Sequence, residues 1–183
     1  MLSLRGKLLI ASPHLLDPNF AHAVVLMVQH DEDGALGVVL NRPSQNTLAE
    51  VWREVLDRPC DNEAPIYVGG PCPGPLMAVH QAPECADLDV APGLFFATQK
   101  EHLENLVQGC RAPLRVFSGY SGWAGGQVES ELETGSWLLT DATEELVFGD
   151  DDELWKLLAR RVGEDILLGA LKIKHAPEDP SLN

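Results

Sequence analysis

The chain alternates between two spacings of apolar residues, one suited to strands and one to helices. Lys7 to Ser12, "KLLIAS", is a short apolar run, and Ala23 to Gln29, "AVVLMVQ", is β-branched and too short for a solitary helix, so both read as strands. Asp31-Glu32-Asp33-Gly34 separates "AVVLMVQ" from "ALGVVLN", and acids followed by glycine between two such runs predict an antiparallel hairpin. At Thr47 the period changes. "TLAE" places Glu50 at the capping-box position, and Leu48, Val51, Trp52, Val55 and Leu56 recur on one face of the predicted helix. The same device at Thr98 and Glu101 predicts a second helix that turns Leu103, Leu106 and Val107 inward and stops at Gly109. Strands are expected on either side of it, at Leu94 to Ala97 and Leu114 to Ser118. "DDDELWKLLARRVG" opens with acids and closes with Arg160, Arg161 and Gly163, the charge order of a helix ending there.

Strands joined partly by hairpins and partly by helices imply a mixed sheet, hence an α/β or α+β protein. No repeat, linker or low-complexity boundary interrupts the pattern. One domain over residues 1–174 is expected, with 175–183, His175 and the polar, proline-containing "APEDPSLN" after it, as an extended or frayed tail. A chain of 183 residues buries enough surface to fold without metal or disulfide.

Charge narrows the function. Thirteen Lys and Arg against 28 Asp and Glu leave a formal charge of −15, which repels nucleic acid and anionic lipid over most of the surface. The apolar run after Arg5 and Lys7 is too short for a secretory segment or a membrane span, so a cytoplasmic protein is expected. Cys60, Cys72, Cys85 and Cys110 form no C-x-x-C pair; no metal or redox motif is written, and thiols are the expected state.

The richest chemistry lies in "FSGYSGWAGGQVESE", Phe117 to Glu131. Gly119-Tyr120-Ser121-Gly122-Trp123 approximates G-x-S-x-G but carries tryptophan at the fifth position, and a nucleophilic Ser121 needs a histidine base that spacing alone does not nominate. A P-loop requires lysine where Gln127 follows Gly126. The expected reading is a turn in which Gly119 and Gly122 supply unusual angles and Trp123 plugs the core, with free N–H groups at the following helix start. Glu129 and Glu133 fall four apart on that helix. They form either an acid pair or a solvated face, and ten acids from Glu129 to Glu153 favour the second. Two further spots accompany this stretch: Arg42 in "LNRP", held extended before a proline, and the stiff loop "GGPCPGP", where prolines flank Cys72.

Taken together, "SPHLLDPNF", "GALGVVLNRP", "YVGGP", "FSGYSGWAGGQVESE", "GSWLL" and "DPSLN" follow the order and spacing of the YqgE/AlgH family of bacterial proteins, which the chain resembles over nearly its whole length. The resemblance implies an α+β domain in which a branched, mostly antiparallel mixed sheet curls into a small barrel surrounded by helices. Some members carry a transcriptional-regulator label, and no reaction is established for the family. The expected function is therefore regulatory, through binding an unknown protein partner or small ligand, without cofactor, metal, membrane or direct nucleic-acid contact. No complete catalytic constellation is visible, and the alternative is a hydrolase or transferase using Ser121 or Cys72. A candidate ligand groove is expected where Asn41, Arg42, Gly69 and Gly70 meet the Tyr120, Ser121, Gly122 and Trp123 turn, with Gln127 and Glu129 beside it.

Overall fold

A computed structural model describes residues 3–56, 60–109 and 112–170. The strands are β1 (Lys7–Ala11), β2 (Val24–Asp31), β3 (Gly34–Val39) and β4 (Pro43–Thr47), then helix α1 (Leu48–Leu56), β5 (Pro65–Val68) and β6 (Cys72–His80). A short 3₁₀ turn at Pro83–Cys85 leads to β7 (Leu88–Ala91), β8 (Leu94–Ala97), α2 (Lys100–Gln108), β9 (Leu114–Ala124), α3 (Gln127–Glu133), β10 (Trp137–Asp141), α4 (Glu144–Phe148) and α5 (Leu154–Ala170). The strands form one curled sheet in the order β10-β1-β2-β3-β9-β6-β8-β7, with β4 and β5 branching from it. Neighbours are antiparallel except β5, which runs parallel to β9. The fold is the expected α+β class, a half-barrel with helices around it.

The branch lies on β9. One edge pairs with β6 from Leu114 to Tyr120. The other edge is shared: Phe117 and Ser118 pair with β5, and Ser121 to Ala124 pair with β3. Inside the curl, Leu8, Ile10, Leu26, Val38, Val79 and Phe117 pack together, and α5 closes one side with Leu154, Leu158 and Val162, spaced one helical turn apart. The outer face near α1 and α2 buries Trp52, Ile66, Leu103 and Leu106, and the outer face near α3 buries Val25, Met27, Trp123 and Trp137.

Local signals held where their partners were local. The Asp31 side chain accepts the N–H groups of Asp33 and Gly34 and closes the β2–β3 hairpin. The α1 capping box is complete, with Glu50 Oε2 accepting the Thr47 N–H at 2.9 Å and Thr47 Oγ1 accepting the Glu50 N–H at 3.3 Å.

Three expectations change. The box at Thr98 and Glu101 does not form; the Asp87 carboxylate instead accepts the N–H groups of Thr98 at 2.6 Å and Gln99 at 2.8 Å, and its other oxygen meets His102 Nδ1 at 2.6 Å. A carboxylate from another segment satisfies the helix start better than the local threonine, because it also brings negative charge to the positive end of the helix dipole. Helix α5 continues through Gly163 to Ala170, since a side chain at Gly163 would meet nothing within 4 Å and a solvent-facing glycine costs only about 1 kcal/mol. Finally, β9 does not end at Ser118 but runs through the whole Gly119–Trp123 segment. The chain reverses at Gly125-Gly126, and Cys72 to Pro75 begin β6 rather than a free loop. Residues 175–183 lie outside the described residues.

Candidate functional site

The continuity of β9 follows from one residue. Gly119 adopts φ 73°, the left-handed region that favours glycine, and so introduces a kink without breaking the strand. The kink reverses the facing of side chains. Phe117 and Tyr120, three positions apart, both turn to the inner core, whereas Trp123 lies in the outer cluster. Gly122, by contrast, has no left-handed φ; its place is tight because a Cβ there would lie 3.3 Å from the Tyr120 ring.

Ser121 lands at the branch point and is 0% exposed. Its hydroxyl donates to the Gly69 carbonyl at 3.1 Å, and that carbonyl also accepts the Val39 N–H at 2.9 Å. Among the described residues no histidine or carboxylate bonds to Ser121 Oγ. Gly69 and Gly70 are required here by close approach: a Cβ on Gly69 would sit 2.2 Å from the Gly119 carbonyl oxygen, and one on Gly70 2.3 Å from Ser121 Oγ. Three chain segments pass each other with no space for a substrate between them. Cys72 pairs with Tyr120 at the start of β6, and it and Cys60 are thiols.

Asn41 and Arg42 leave this point in another direction. Asn41 Nδ2 donates to the His22 carbonyl at 2.9 Å while its Oδ1 accepts the Val24 N–H at 2.9 Å. Arg42 Nη2 donates to the Ala21 carbonyl at 3.2 Å, and burial lowers its pKa while Asp17 opposes the shift. Both side chains therefore grip the end of the segment joining β1 to β2. The grip holds a strained residue, since His22 is the one non-glycine with positive φ, 59°, among the described residues. Its ring packs on Trp155 with centroids 4.1 Å apart, and Trp155 Nε1 donates to the Ala11 carbonyl at the other end of the segment.

Helix α3 reaches the same segment from a third side. Glu131 Oε2 accepts both indole N–H groups, Trp123 at 3.0 Å and Trp137 at 2.8 Å. Gln127 Oε1 accepts the Ala124 N–H and its Nε2 donates to Glu131 Oε1, so Gln127 spans the turn and orients the acid. That N–H belongs to the end of β9; at the start of α3 itself Gly126 provides no side-chain cap. Against the paired indoles lies Phe20, stacked on Trp123 at 5.9 Å and edge-on to Trp137 at 5.4 Å. Glu129 is not simply a solvated acid. Its Oε1 lies 2.9 Å from His30 Nε2, an ion-pair distance though off the N–H axis for a hydrogen bond, while His30 Nδ1 accepts the Leu4 N–H.

The structure thus brings Gly69, Gly70, Tyr120, Ser121 and Gly122 into one packed branch, and places Asn41, Arg42, Trp123 and Gln127 around the 12–22 segment. Glu129 stands apart, with His30. Sequence reasoning did not nominate Phe20, His22, His30, Trp137 or Trp155 for the site. The stretches "SPHLLDPNF" and "GSWLL" contain two of them, Phe20 and Trp137, but an aromatic in a loop shows no period that would announce its partner. Among the described residues no group of three or more His, Cys, Asp and Glu side chains is arranged to hold a metal ion, and no helix is long and apolar enough to cross a membrane.

Fold and site define a class: a single-domain α+β half-barrel whose branched strand carries a glycine-rich motif that organises a displayed loop. The chain belongs to the AlgH-like family, whose model matches residues 8–167. It is 36% identical over 188 residues to a UPF0301 protein of Chlorobaculum tepidum, covering 97% of this chain and 95% of that one. A UPF0301 protein of Myxococcus xanthus is 39% identical over 170 residues, covering 90% and 94%. Among solved structures, the AlgH protein from Pseudomonas aeruginosa matches with TM-score 0.75 and 31% identity over 96% of both chains. A crystal structure of a protein from Corynebacterium diphtheriae matches with TM-score 0.68 and 26% identity over 88% and 87%.

Proposed function

We propose that this protein is a cytoplasmic regulatory protein that acts by non-covalent contact with a protein partner through the loop between β1 and β2. One observation carries the reading: the family-motif residues Asn41, Arg42 and Trp123 converge on the underside of this loop. At its tip Leu16 is 90% exposed, a large apolar side chain directed at solvent. A rigid scaffold that presents an apolar anchor beside polar groups is the arrangement of a recognition loop, in which little ordering entropy remains to be lost on binding. The surface charge disfavours DNA as that partner.

The reading is tested by placing a photo-crosslinking amino acid at position 16, and for comparison at exposed Glu63, in living bacteria. A discrete adduct from position 16 that is absent from position 63, and lost when Arg42→Ala releases the loop, is expected. Equal crosslinking from both positions, or none at position 16, refutes the loop as the contact surface.

A further inference from the structure

A second region, sharing no residue with the loop, holds the strongest unassigned chemistry. Arg115 on β9 is 7% exposed, yet among the described residues it forms no ion pair with any carboxylate. Its Nη1 donates to the Leu40 carbonyl at 2.8 Å, its Nη2 to the Gly149 carbonyl at 2.5 Å, and its guanidinium carbon lies 4.7 Å over the Tyr67 ring. Two of its five N–H donors are thereby used, and the plane is fixed by carbonyls and an aromatic face. A buried cation without a counter-charge is costly unless something supplies one.

This guanidinium lines an open cleft of about 390 Å³, whose walls include Pro65, Tyr67, Leu114, Phe148 and Asp151. The size falls in the lower range of small-molecule sites. The Asp151 side chain is hydrogen-bonded to Tyr67, while its Oδ2 is buried with no hydrogen-bond partner. Burial raises the Tyr67 pKa, Arg115 opposes that rise, and Asp151 and Asp152 add to it, so the phenol enters as a neutral hydroxyl. One cleft therefore presents a guanidinium with no ion pair among the described residues and a carboxylate with one unpartnered oxygen, which do not bond each other, between apolar walls.

We propose that this cleft binds a compact apolar α-amino acid, with the ligand carboxylate on Arg115 and its ammonium on Asp151. A phosphate or other dianion would meet Asp151 and Asp152, and a simple amine would leave Arg115 uncompensated; a zwitterion satisfies both charges. Pro65, Leu114 and Phe148 suit an aliphatic side chain rather than a charged one.

The test is a titration of the ¹⁵N-labelled full chain followed by NMR, with L-leucine and its two half-ligands, 4-methylpentanoate and isoamylamine. Leucine is expected to move the Arg115 Nε–H and Gly149 amide signals in a saturable way, with either half-ligand at least about ten-fold weaker. Arg115→Lys keeps the charge but loses the fork, and is expected to weaken leucine by about ten-fold or more. Asp151→Asn, at a half-buried position and close in shape, is expected to abolish the preference for leucine over 4-methylpentanoate. Absence of any shift at Arg115 or Gly149 up to about 10 mM leucine overturns the site. Equal affinity for 4-methylpentanoate in the parent protein overturns its zwitterion character. If Arg115→Lys does not fold, the Asp151→Asn comparison decides alone.

Discussion

Removing Trp123 tests the structural reading of the motif most directly. Its side chain is 6% exposed and packs among Val128, Trp137 and the β2 residues Val25 and Met27. Truncation of a buried tryptophan to alanine costs about 3–5 kcal/mol through lost burial and the cavity left behind. The stacked ring of Phe20 loses its partner as well, an effect of about 0.5–1.5 kcal/mol beyond area in other aromatic pairs and partly contained in the same figure. Trp123→Phe separates the contributions. It keeps an aromatic body against Phe20 but removes the indole N–H, and Glu131 Oε2 retains the Trp137 donor at 2.8 Å, so about 1–2 kcal/mol is expected from that loss. For a domain of this size about 2–4 °C of Tm accompanies each kcal/mol, which gives a fall of roughly 6–20 °C for Trp123→Ala. Differential scanning calorimetry measures both variants, and limited proteolysis between His14 and Phe20 reports the loop. An alanine variant melting within about 2 °C of the parent refutes the packing argument. Equal losses for alanine and phenylalanine would show that the hydrogen bond to Glu131, rather than burial, dominates.

Ser121→Ala is expected to fold and to lose only about 0.5–1.5 kcal/mol, because the Gly69 carbonyl keeps the Val39 N–H; urea unfolding measures the loss, and stoichiometric fluorophosphonate labelling that disappears in the variant would restore a nucleophilic role. Asp87→Ala is expected to cost about 1–2 kcal/mol at pH 7 by uncapping α2. Burial pushes the Asp87 pKa up, but the N–H groups of Thr98 and Gln99 and the His102 ring outweigh it and hold it below the ordinary 3.8. A lowered folded pKa means the charged carboxylate stabilises fully above the unfolded value and loses its contribution as pH falls through the folded one. The difference between parent and Asp87→Ala in urea should therefore shrink below about pH 4, and a gap unchanged from pH 7 to pH 3 contradicts this capping role. The isolated protein is expected to bind duplex DNA no tighter than about 10⁻⁶ M at 0.1 M salt by fluorescence anisotropy; nanomolar, sequence-dependent binding reverses the charge argument.

What was legible in the sequence was whatever is settled within a turn of chain. The capping box at Thr47 and the acid–glycine hairpin both close over three or four residues, and both form. The box at Thr98 has the same local signature and fails, because the winning carboxylate comes from Asp87, eleven residues earlier and across β7 and β8. Nothing in a periodicity distinguishes a threonine that caps from one that is capped. The extent of β9 was hidden for a similar reason. Glycine at 119 and 122 reads as a turn when neighbours are unknown, yet β3, β5 and β6 supply ladder partners on both edges, and these outweigh the weak strand preference of glycine.

The same geometry explains why a motif that looks catalytic can be specific without chemistry. At a branch where one strand edge passes from a parallel to an antiparallel neighbour, the backbones of Gly69, Gly70 and Gly119 come within reach of one another, and no side chain fits between them. A small hydroxyl at 121 supplies a donor to the Gly69 carbonyl where a larger residue would clash and alanine would leave one bond fewer. Beyond the kink the chain must deliver an aromatic to the outer face, and Trp123 does so with an N–H that only a fixed acceptor can satisfy. Glu131 is that acceptor, Gln127 fixes it, and Phe20 closes on the result. Each residue of the motif is thus required by the one before it, and the last of them holds the loop from which Leu16 projects.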